Sequence, residues 1–353
     1  MNLSLDPPTD LDAARGDWTR LADEAGNPFS TWEWASVWWS HYGAGAEQVV
    51  RVCRDGSGRA VAILPLYRAR RGPLRVLRMI GHGPADQLGP VCAPGDRPAA
   101  AAALREALDD PAESWQVALL DRLPGQDGWP ELLGGADVER EESSPVLDAG
   151  GASFDEWLAT QSRNFREQVR RRERKLLRSH EVAFDLCEDA GRFDSDYDTL
   201  VRLHRARFGA ESRSFDPPRD TFHREFGRHA LERGWLRLWT LRVDGSPVAS
   251  WLGYRMGGFE WYYQAGRDPA FERESVGFVL MAHTIREALD AGMREYRLLL
   301  GDEPYKARFA NADHGLQTVM YARGPAGRAA RALARRPKVL PRPLRDRVRR
   351  LAG

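Results

Sequence analysis

The sequence has few cysteines and no motif for a metal site or a covalent nucleophile. Its three cysteines, Cys53, Cys92 and Cys187, are far apart and match neither a disulfide framework nor a zinc-ligand spacing. No His-Glu-x-x-His, Cys-x-x-Cys or Gly-x-Ser-x-Gly pattern occurs, so a zinc protease, a redox dithiol and a serine hydrolase are not indicated. We therefore expect no bound metal, and free thiols of the kind that a reducing cytoplasm maintains.

The sequence also lacks a large net charge and a long apolar segment. Its 52 Lys and Arg residues nearly balance 51 Asp and Glu residues, which argues against a protein that binds nucleic acid over its whole surface. No apolar run approaches the ~20 residues that span a bilayer, and no basic region followed by an apolar run marks a signal peptide. These absences favour a cytoplasmic protein, with peripheral binding at a membrane left open.

Length and composition predict two domains and a tail. A chain of 353 residues suits two domains of roughly 150–170 residues each. The segment from Gly125 to Gly151 is rich in Gly, Glu, Ser and Pro, which places a boundary near its end. We predict an N-terminal domain over 1–150, a C-terminal domain over 151–326 and a basic tail over 327–353. The tail is predicted either to lie on an anionic membrane surface or to stay flexible in solvent.

Three strand patterns followed by a helix organise the C-terminal half. Apolar and polar residues alternate in each strand segment, and turn residues separate the segments. A glycine-containing turn at 273–277 then opens a helix whose apolar residues recur at helical spacing. Backbone amides at such a helix start are a natural site for a diphosphate. The three strand segments are Trp235 to Val243, Val248 to Arg255 and Phe259 to Gln264.

This order of elements resembles the GNAT acyltransferase fold, in which that turn holds the pyrophosphate of an acyl-coenzyme A. Ser275-Val276-Gly277, and then the segment from Gly301 to Phe309 with Asp302-Glu303-Pro304-Tyr305-Lys306, are similar to the signature of the BioF2-like (CelD/BcsL) acetyltransferases. That family is related to the FemA/FemB peptidyltransferases, which carry two GNAT-like halves. The resemblance implies an α+β (mixed α/β) fold of tandem GNAT-like domains, each a mixed, mostly antiparallel twisted sheet flanked by helices.

The resemblance implies that the C-terminal domain binds acyl-coenzyme A (acyl-CoA). For this co-substrate we predict the main-chain amides around Ser275, Val276 and Gly277, with Arg273 adding positive charge. Gln264 lies nearest to the turn at the end of its strand and is predicted to contact the coenzyme as well.

The acceptor is predicted to meet residues of both halves. Glu260 and Tyr262 share one face of their strand with Gln264 by alternation. Arg207 precedes a polar segment that can line the mouth of a cleft, and Asp86 lies in a loop of the first half, which resembles the acceptor side of the family. We predict these residues to bind substrate, while a loop aspartate such as Asp86 is also a common turn or cap residue.

Acyl transfer from a thioester to an amine requires a positioned donor, loss of an amine proton and stabilisation of the leaving thiolate. Asp302 and Glu303 are candidates for the base, or for orienting the amine. Tyr305 can donate a proton to the thiolate, and Lys306 can hold a phosphate or an acceptor carboxylate. Since no covalent nucleophile is evident, we predict direct attack of the amine on the thioester.

A strongly basic helix is predicted near the start of the second domain. Between Arg163 and Arg178 it carries eight basic residues against two acidic ones, Glu167 and Glu173. Such a helix can be a solvated face with local ion pairs, or it can meet an anionic ligand or acceptor. The imbalance of charge favours the anionic ligand.

These patterns together predict an N-acyltransferase that moves an acyl group, acetyl in the simplest case, from acyl-CoA to an amine. The predicted acceptor is a small molecule or glycan: a sugar, a polysaccharide precursor or a peptide-like metabolite. One alternative shares the fold but takes its acyl group from aminoacyl-tRNA, the one case in which a nucleic acid is a partner. Another is a catalytically silent scaffold in envelope polysaccharide assembly, motivated by Glu274, Arg297 and the basic tail.

Overall fold

A computed structural model describes residues 3–209 and 212–335 of the chain. The helices in chain order are α1 Arg15–Ala25, α2 Trp32–Tyr42, α3 Arg97–Asp109, α4 Trp129–Leu132, α5 Phe154–Thr160, α6 Arg163–Ser179, α7 Ala190–Phe208, α8 Arg219–Glu232, α9 Val276–Asp290 and α10 Gly324–Ala334. The strands are β1 Ser4–Leu5, β2 Glu47–Gln48, β3 Arg51–Arg54, β4 Ala60–Leu64, β5 Leu66–Arg71, β6 Leu74–Met79, β7 Val91–Cys92, β8 Val117–Pro124, β9 Val138–Glu142, β10 Pro145–Asp148, β11 Val182–Leu186, β12 Leu236–Val243, β13 Ser246–Met256, β14 Phe259–Arg267, β15 Glu295–Arg297, β16 Ala312–Asp313 and β17 Leu316–Ala322.

The chain forms two compact units whose bounds differ from those of the predicted domains. The second unit is Ser144–Asp313, and the first unit contains the described residues on either side of it. We predicted a boundary at residue 150 and a second domain that continues to residue 326. The reason for the difference is strand pairing: β10 pairs with β15 and β16, while β17 pairs with β8 and β9 of the first unit.

The segment predicted as a basic tail begins inside a helix. α10 covers Gly324–Ala334, and Arg331 donates to the carboxylates of Asp137 and Glu139. The described part of the tail is therefore tied to β9 of the first unit by ion pairs, which corrects the expectation of a flexible tail for this part. The remainder of the predicted tail, 336–353, lies outside the described residues.

The first unit contains two sheets with the strand orders β1-β3-β4-β7 and β2-β5-β6-β8-β17-β9. Every neighbouring pair is antiparallel except β6 with β8. Trp18 of α1 and Trp34 and Trp38 of α2 are almost fully buried, so large aromatic side chains supply much of this unit's core.

The second unit is built on one seven-stranded sheet with the order β11-β12-β13-β14-β15-β10-β16. Neighbouring strands are antiparallel except β14 and β15, which run parallel because α9 connects them. α9 packs on the sheet through a core that contains Trp251, Tyr262 and Ile285. α7 also packs against β13 and β14, and Tyr263 meets His223 of α8 at 3.4 Å.

Both units have mixed, mostly antiparallel sheets flanked by helices, so the predicted α+β class is confirmed. None of the helices within residues 3–209 and 212–335 combines the length and the apolar character that crossing a bilayer requires.

Gly266, near the end of β14, lies against α7 with no room for a side chain. A Cβ atom there would collide with the backbone of Leu203 and His204. Backbone atoms of a helix cannot move away as the end of a flexible side chain can. We expect Gly266→Ala to lower the free energy of unfolding by about 3 kcal/mol, measured by urea denaturation. Gly16→Ala is the control, because no atom lies within 4 Å of the added Cβ. Equal losses in the two variants would contradict the packing argument.

Candidate active site

The strands β14 and β15 separate and leave an opening in the second sheet. Their pairing ends at Trp261 and Arg297, while β14 continues to Arg267. Beyond β15 the chain follows β10 instead, where the amide of Leu298 donates to the carbonyl of Pro145. Parallel strands that diverge in this way turn backbone amides and carbonyls of β14 toward the opening, where an extended ligand can bond to them.

A cavity of about 370 Å³ lies at this opening. It is lined by residues of β13, β14, α6, α7 and α9 and by the turn and loop on either side of α9. Gly277 and Tyr305 border this one cavity, as the predicted donor site requires. The lining residues are Arg172, Arg207, Ser250, Trp251, Tyr262, Ala265, Gly266, Arg267, Glu272, Ser275, Gly277, Phe278, Leu280, Met281, Tyr305, Arg308 and Phe309.

The turn that opens α9 presents backbone amides at the cavity. Ser275 has left-handed backbone geometry, with φ 57° and ψ 38°, and precedes Val276, the first helical residue. The amides of Val276 and Gly277 have no carbonyl within the helix to donate to, because they are its first two residues. The positive end of the helix dipole lies at the same place. This turn can therefore bind the oxygens of a diphosphate.

Arg267 brings positive charge to the start of α9, where Gly277 leaves room for the arginine side chain. The Cβ atom that Gly277 lacks would lie 3.1 Å from Cδ of Arg267. A glycine at this position therefore lets the arginine side chain lie close to the first turn of α9. The Arg267 guanidinium donates to the Glu272 carboxylate at 3.3 Å, and that carboxylate is 74% exposed, so the pair is open to solvent.

Arg172 of α6 and Arg308 of the loop after β15 bring further positive charge to the cavity. Their guanidinium carbons lie 4.5 and 5.2 Å from the centre of the Phe278 ring. Burial lowers the pKa of Arg172, and the nearby charges of Arg308 and Arg171 act in the same direction. Like charges held this close to one another favour the binding of an anion between them.

Two tyrosines form a hydrogen-bonded pair in the cavity. The hydroxyl oxygens of Tyr262 and Tyr305 are 3.1 Å apart, and the guanidinium carbon of Arg207 is 5.4 Å from the Tyr305 ring centre. Burial is the main cause that raises the pKa of both phenols. Both therefore keep their protons at neutral pH, and Tyr305 can donate a proton to a leaving thiolate.

Apolar side chains form much of the buried lining of the cavity. Trp251, Leu280, Met281 and Phe309 line it and are buried. Among the described lining residues the one carboxylate is Glu272, which is exposed and paired with Arg267. The cavity thus joins a region rich in arginine to an interior that favours uncharged groups.

Residues 163–307 match the family model described as "Acetyltransferase (GNAT) domain". We call this matched segment, which is less than half of the chain, the GNAT domain. No curated protein matches the sequence. The matched segment contains the opening, the α9 turn and Tyr305, so the predicted enzyme class, a GNAT-type acyltransferase, is confirmed, and the finer assignment to the BioF2-like group stays a prediction.

Several solved structures share the fold of the whole chain at low sequence identity. FemX has 11% identity and a TM-score of 0.66, with 95% of this chain and 100% of FemX covered. The structure described as "C-terminal Domain (DUF2156) of Putative Lysylphosphatidylglycerol Synthetase from Agrobacterium fabrum" has 12% identity and a TM-score of 0.57, with coverages of 92% and 96%. L-PGS from Bacillus licheniformis has 13% identity and a TM-score of 0.54, with coverages of 94% and 98%. These likenesses concern the fold alone.

The cavity of the GNAT domain brings together five of the residues predicted from the sequence. They are Arg207, Tyr262, Ser275, Gly277 and Tyr305. The side chain of Val276 is buried in the core while its amide remains at the helix start. The side chain of Arg273 is not among those that line the cavity, although its carbonyl accepts a hydrogen bond from Lys175 at 3.4 Å.

A β-bulge explains why Gln264 does not line the cavity of the GNAT domain. The register of β13 and β14 shifts at Gly253, which makes Tyr263 an extra residue in β14. An extra residue disturbs the alternation of faces, and Ala265 lines the cavity together with Tyr262. The predicted common face of Tyr262 and Gln264 is corrected, because alternation does not continue through a bulge.

Lys306, Asp302 and Glu303 are placed differently from their predicted roles. The Lys306 side chain is buried, and its ammonium donates to the Leu300 carbonyl at 2.5 Å and lies 2.9 Å from the Glu303 carboxylate. It therefore holds the loop that carries Tyr305 and is not free to bind a phosphate or an acceptor carboxylate. Asp302 and Glu303 are exposed and do not line the cavity, which corrects their assignment as base within it.

Glu260 is also corrected as a substrate-binding residue. Its side chain is fully buried and its carboxylate lies 2.6 Å from Nε of Arg255, so it forms an internal ion pair and does not line the cavity. Burial raises the pKa of Glu260 to about 7, although Arg255 opposes this shift.

The raised pKa of Glu260 predicts a stability that falls with pH. Because its folded pKa of about 7 exceeds its ordinary value of 4.5, the folded state binds more protons than the unfolded state between these values. The free energy of unfolding then decreases as pH rises through this window, by on the order of 3 kcal/mol from this group. Urea denaturation at pH 5 and pH 8 measures the difference. We expect this difference between pH 5 and pH 8 to be much smaller in the Glu260→Gln variant. An equal difference in the wild-type and variant proteins would contradict its assignment to Glu260.

Asp86 lies in the first unit, whereas all residues that line the cavity belong to the second. Its carboxylate is 3.4 Å from a guanidinium nitrogen of Arg122, which also donates to the carbonyl of Ala85 at 2.6 Å. Its role toward an acceptor stays a prediction.

Sequence reasoning missed three arginines of the GNAT domain as site residues: Arg172, Arg267 and Arg308. Arg267 is the last residue of the strand that leads to the α9 turn, so its position in the sequence could have indicated a role at the cavity. Arg172 was hidden among the eight basic residues of α6, and the sequence does not show which of them faces the cavity. Arg308 lies in the segment from Gly301 to Phe309 that carries the family resemblance, and its position alone gives it no role at the cavity.

Proposed function

We propose that the chain is an N-acyltransferase that moves an acyl group, acetyl in the simplest case, from acyl-CoA to an amine. The observation that carries the proposal is the shared cavity: backbone amides of the α9 turn and the Tyr305 hydroxyl border one opening between β14 and β15. The arginines at the cavity supply the positive charge that the diphosphate of a coenzyme requires.

In the proposed reaction the amine nitrogen attacks the carbonyl carbon of the thioester directly. The carbon–sulfur bond then breaks, and the leaving thiolate takes the proton of the Tyr305 hydroxyl. Tyr262 orients that hydroxyl through the 3.1 Å hydrogen bond. The amine proton passes to water, and the phenol is reprotonated from solvent, so no group remains modified at the end.

A second candidate is transfer from an aminoacyl donor. The fold likeness to FemX and to the domain of an assigned lysylphosphatidylglycerol synthetase favours it. The apolar inner lining favours the uncharged acyl group instead, because the α-amino cation of an aminoacyl donor needs a carboxylate or similar partner. Among the described lining residues that partner is available at the exposed Glu272 alone.

Calorimetric titration separates these candidates. We expect acetyl-CoA to bind to the protein with a one-to-one stoichiometry, and aminoacyl-tRNA to be retained no better than uncharged tRNA in a filter-binding assay. The opposite pattern would overturn the proposal in favour of the aminoacyl donor. Absence of binding in both assays, and of any shift in melting temperature with acyl-CoA, would favour the catalytically silent scaffold.

Arg297 does not weaken the proposal, although it stands where the related family commonly has an acidic residue. Its guanidinium donates to Glu295 at 2.8 Å and lies 3.6 Å from the Phe259 ring centre. It is thus a structural residue of β15 with partners of its own.

The acceptor and the location belong to the proposal as well. We propose an amine of a sugar, polysaccharide precursor or peptide-like metabolite as acceptor, and a cytoplasmic protein that can meet an anionic membrane surface. The support for surface binding is the number of basic residues between Lys338 and Arg350. Co-sedimentation with vesicles that contain anionic lipid tests it.

A further inference from the structure

A groove of about 490 Å³ lies along the start of α6. It shares Arg308 with the acyl-CoA cavity. We name it the α6 groove and define it by its polar lining residues, which are Ser162, Asn164, Glu167, Gln168, Arg171 and Arg308.

The polar lining of the α6 groove suits an anion with several acceptor oxygens. Two guanidiniums, from Arg171 and Arg308, face it together with hydroxyl and amide groups. Gln168 accepts a hydrogen bond from Arg308, which fixes the direction of that guanidinium. Guanidinium forks match the geometry of phosphate, and the hydroxyl and amide groups can donate to its remaining oxygens.

The charges at the groove have a positive balance, with two arginines against one glutamate. Of the two acidic residues of α6, Glu173 is bound to the guanidinium of Arg286 by two contacts of 2.8 and 3.2 Å. Glu167 is therefore the acidic residue of this helix that remains at the groove. Arg171 and Arg172 are neighbours on α6, and Arg172 faces the cavity while Arg171 faces the groove.

The groove lies within reach of a ligand bound at the α9 turn. Lys175 of α6 donates to the carbonyl of Arg273 at 3.4 Å, and Arg172 and Arg308 both lie over the ring of Phe278 in the first turn of α9. A molecule whose diphosphate binds at the start of α9 can therefore extend along these arginines into the groove.

We propose that the α6 groove binds a phosphate monoester on the nucleotide end of the donor, the 3′-phosphate in the case of acyl-CoA. This inference rests on the proposed function and adds a second anion site to it. The groove then selects the phosphorylated coenzyme over its 3′-dephospho form.

Calorimetric titration with acetyl-CoA and with 3′-dephospho-acetyl-CoA tests the groove. We expect the wild-type protein to bind acetyl-CoA about tenfold more tightly, as a charge-assisted contact to one phosphate predicts. Arg171→Ala should bind the two ligands equally, with its affinity for the dephospho form unchanged. Arg170→Ala is the matched control: it removes the same charge from a position about 100° away around the helix and should keep the tenfold preference.

The possible results distinguish a failure of the groove assignment from a failure of the proposed function. Equal binding of both ligands to the wild-type protein would overturn the groove assignment and leave the acyl-CoA donor intact. No binding of either ligand would overturn both. Retention of a short RNA by the wild-type protein, lost in Arg171→Ala while the two coenzymes bind equally, would replace the phosphate monoester by an RNA backbone.

Discussion

Replacement of Tyr305 by phenylalanine is expected to lower kcat for acyl transfer by about a hundredfold, the size typical of losing a general acid. The phenol of Tyr305 lies at the cavity, 3.1 Å from the hydroxyl of Tyr262, and its raised pKa keeps it protonated at neutral pH. Without it, the thiolate must leave with a proton from water. Release of free thiol from acetyl-CoA, in the presence of the amine that gives the fastest reaction, measures this rate.

The KM for acetyl-CoA should remain nearly the same in Tyr305→Phe, because the change removes one oxygen and leaves the ring in place. Tyr263→Phe is the matched control: this tyrosine is in the same strand as Tyr262, but its hydroxyl lies 3.4 Å from Nε2 of His223 and it does not line the cavity. We expect its kcat to stay within about twofold of the wild-type value. A Tyr305→Phe enzyme with unchanged kcat would show that this phenol is not the proton donor.

Replacement of Gly277 by aspartate is expected to weaken acetyl-CoA binding by about a hundredfold, because like charges brought together cost several kcal/mol. The new carboxylate would lie at the helix start, beside Arg267 and the amides that we propose to bind the diphosphate. Isothermal titration calorimetry measures the dissociation constant.

Misfolding would not explain this loss, because an acidic residue in the first turn of a helix is favourable for the helix. Gly277→Ala is the control: its Cβ meets only the flexible side chain of Arg267, at 3.1 Å from Cδ. We expect an effect of less than about tenfold for alanine. Equal affinities of the wild-type and Gly277→Asp proteins would place the diphosphate elsewhere.

The local pattern of the second half was sufficient to predict that Gly277 and Tyr305 lie near each other. Turn residues and alternation indicated the strands that lead to Ser275, and helical spacing indicated α9 behind it. The motif that contains Tyr305 follows the next strand of the same sheet, so topology alone brings Tyr305 to the end where Gly277 lies. The cavity that both residues line agrees with this reasoning.

The errors have a common physical cause, which is that they depend on contacts that alternation and spacing along the chain do not specify. The bulge at Tyr263 depends on the register with β13. The burial of Lys306 depends on the carbonyl of Leu300, which accepts a hydrogen bond from its ammonium. The return of β17 to the first unit depends on a partner, β8, that is almost two hundred residues earlier. Propensity and spacing within a segment contain none of this information.

The measurement that tests the central claim most directly is a crystal structure of the protein with coenzyme A. We predict the diphosphate oxygens within about 3 Å of the amides of Val276 and Gly277, and the thiol in the cavity beside the Tyr305 hydroxyl. A coenzyme whose diphosphate lies away from the α9 turn, or whose thiol lies outside the opening between β14 and β15, would contradict the claim.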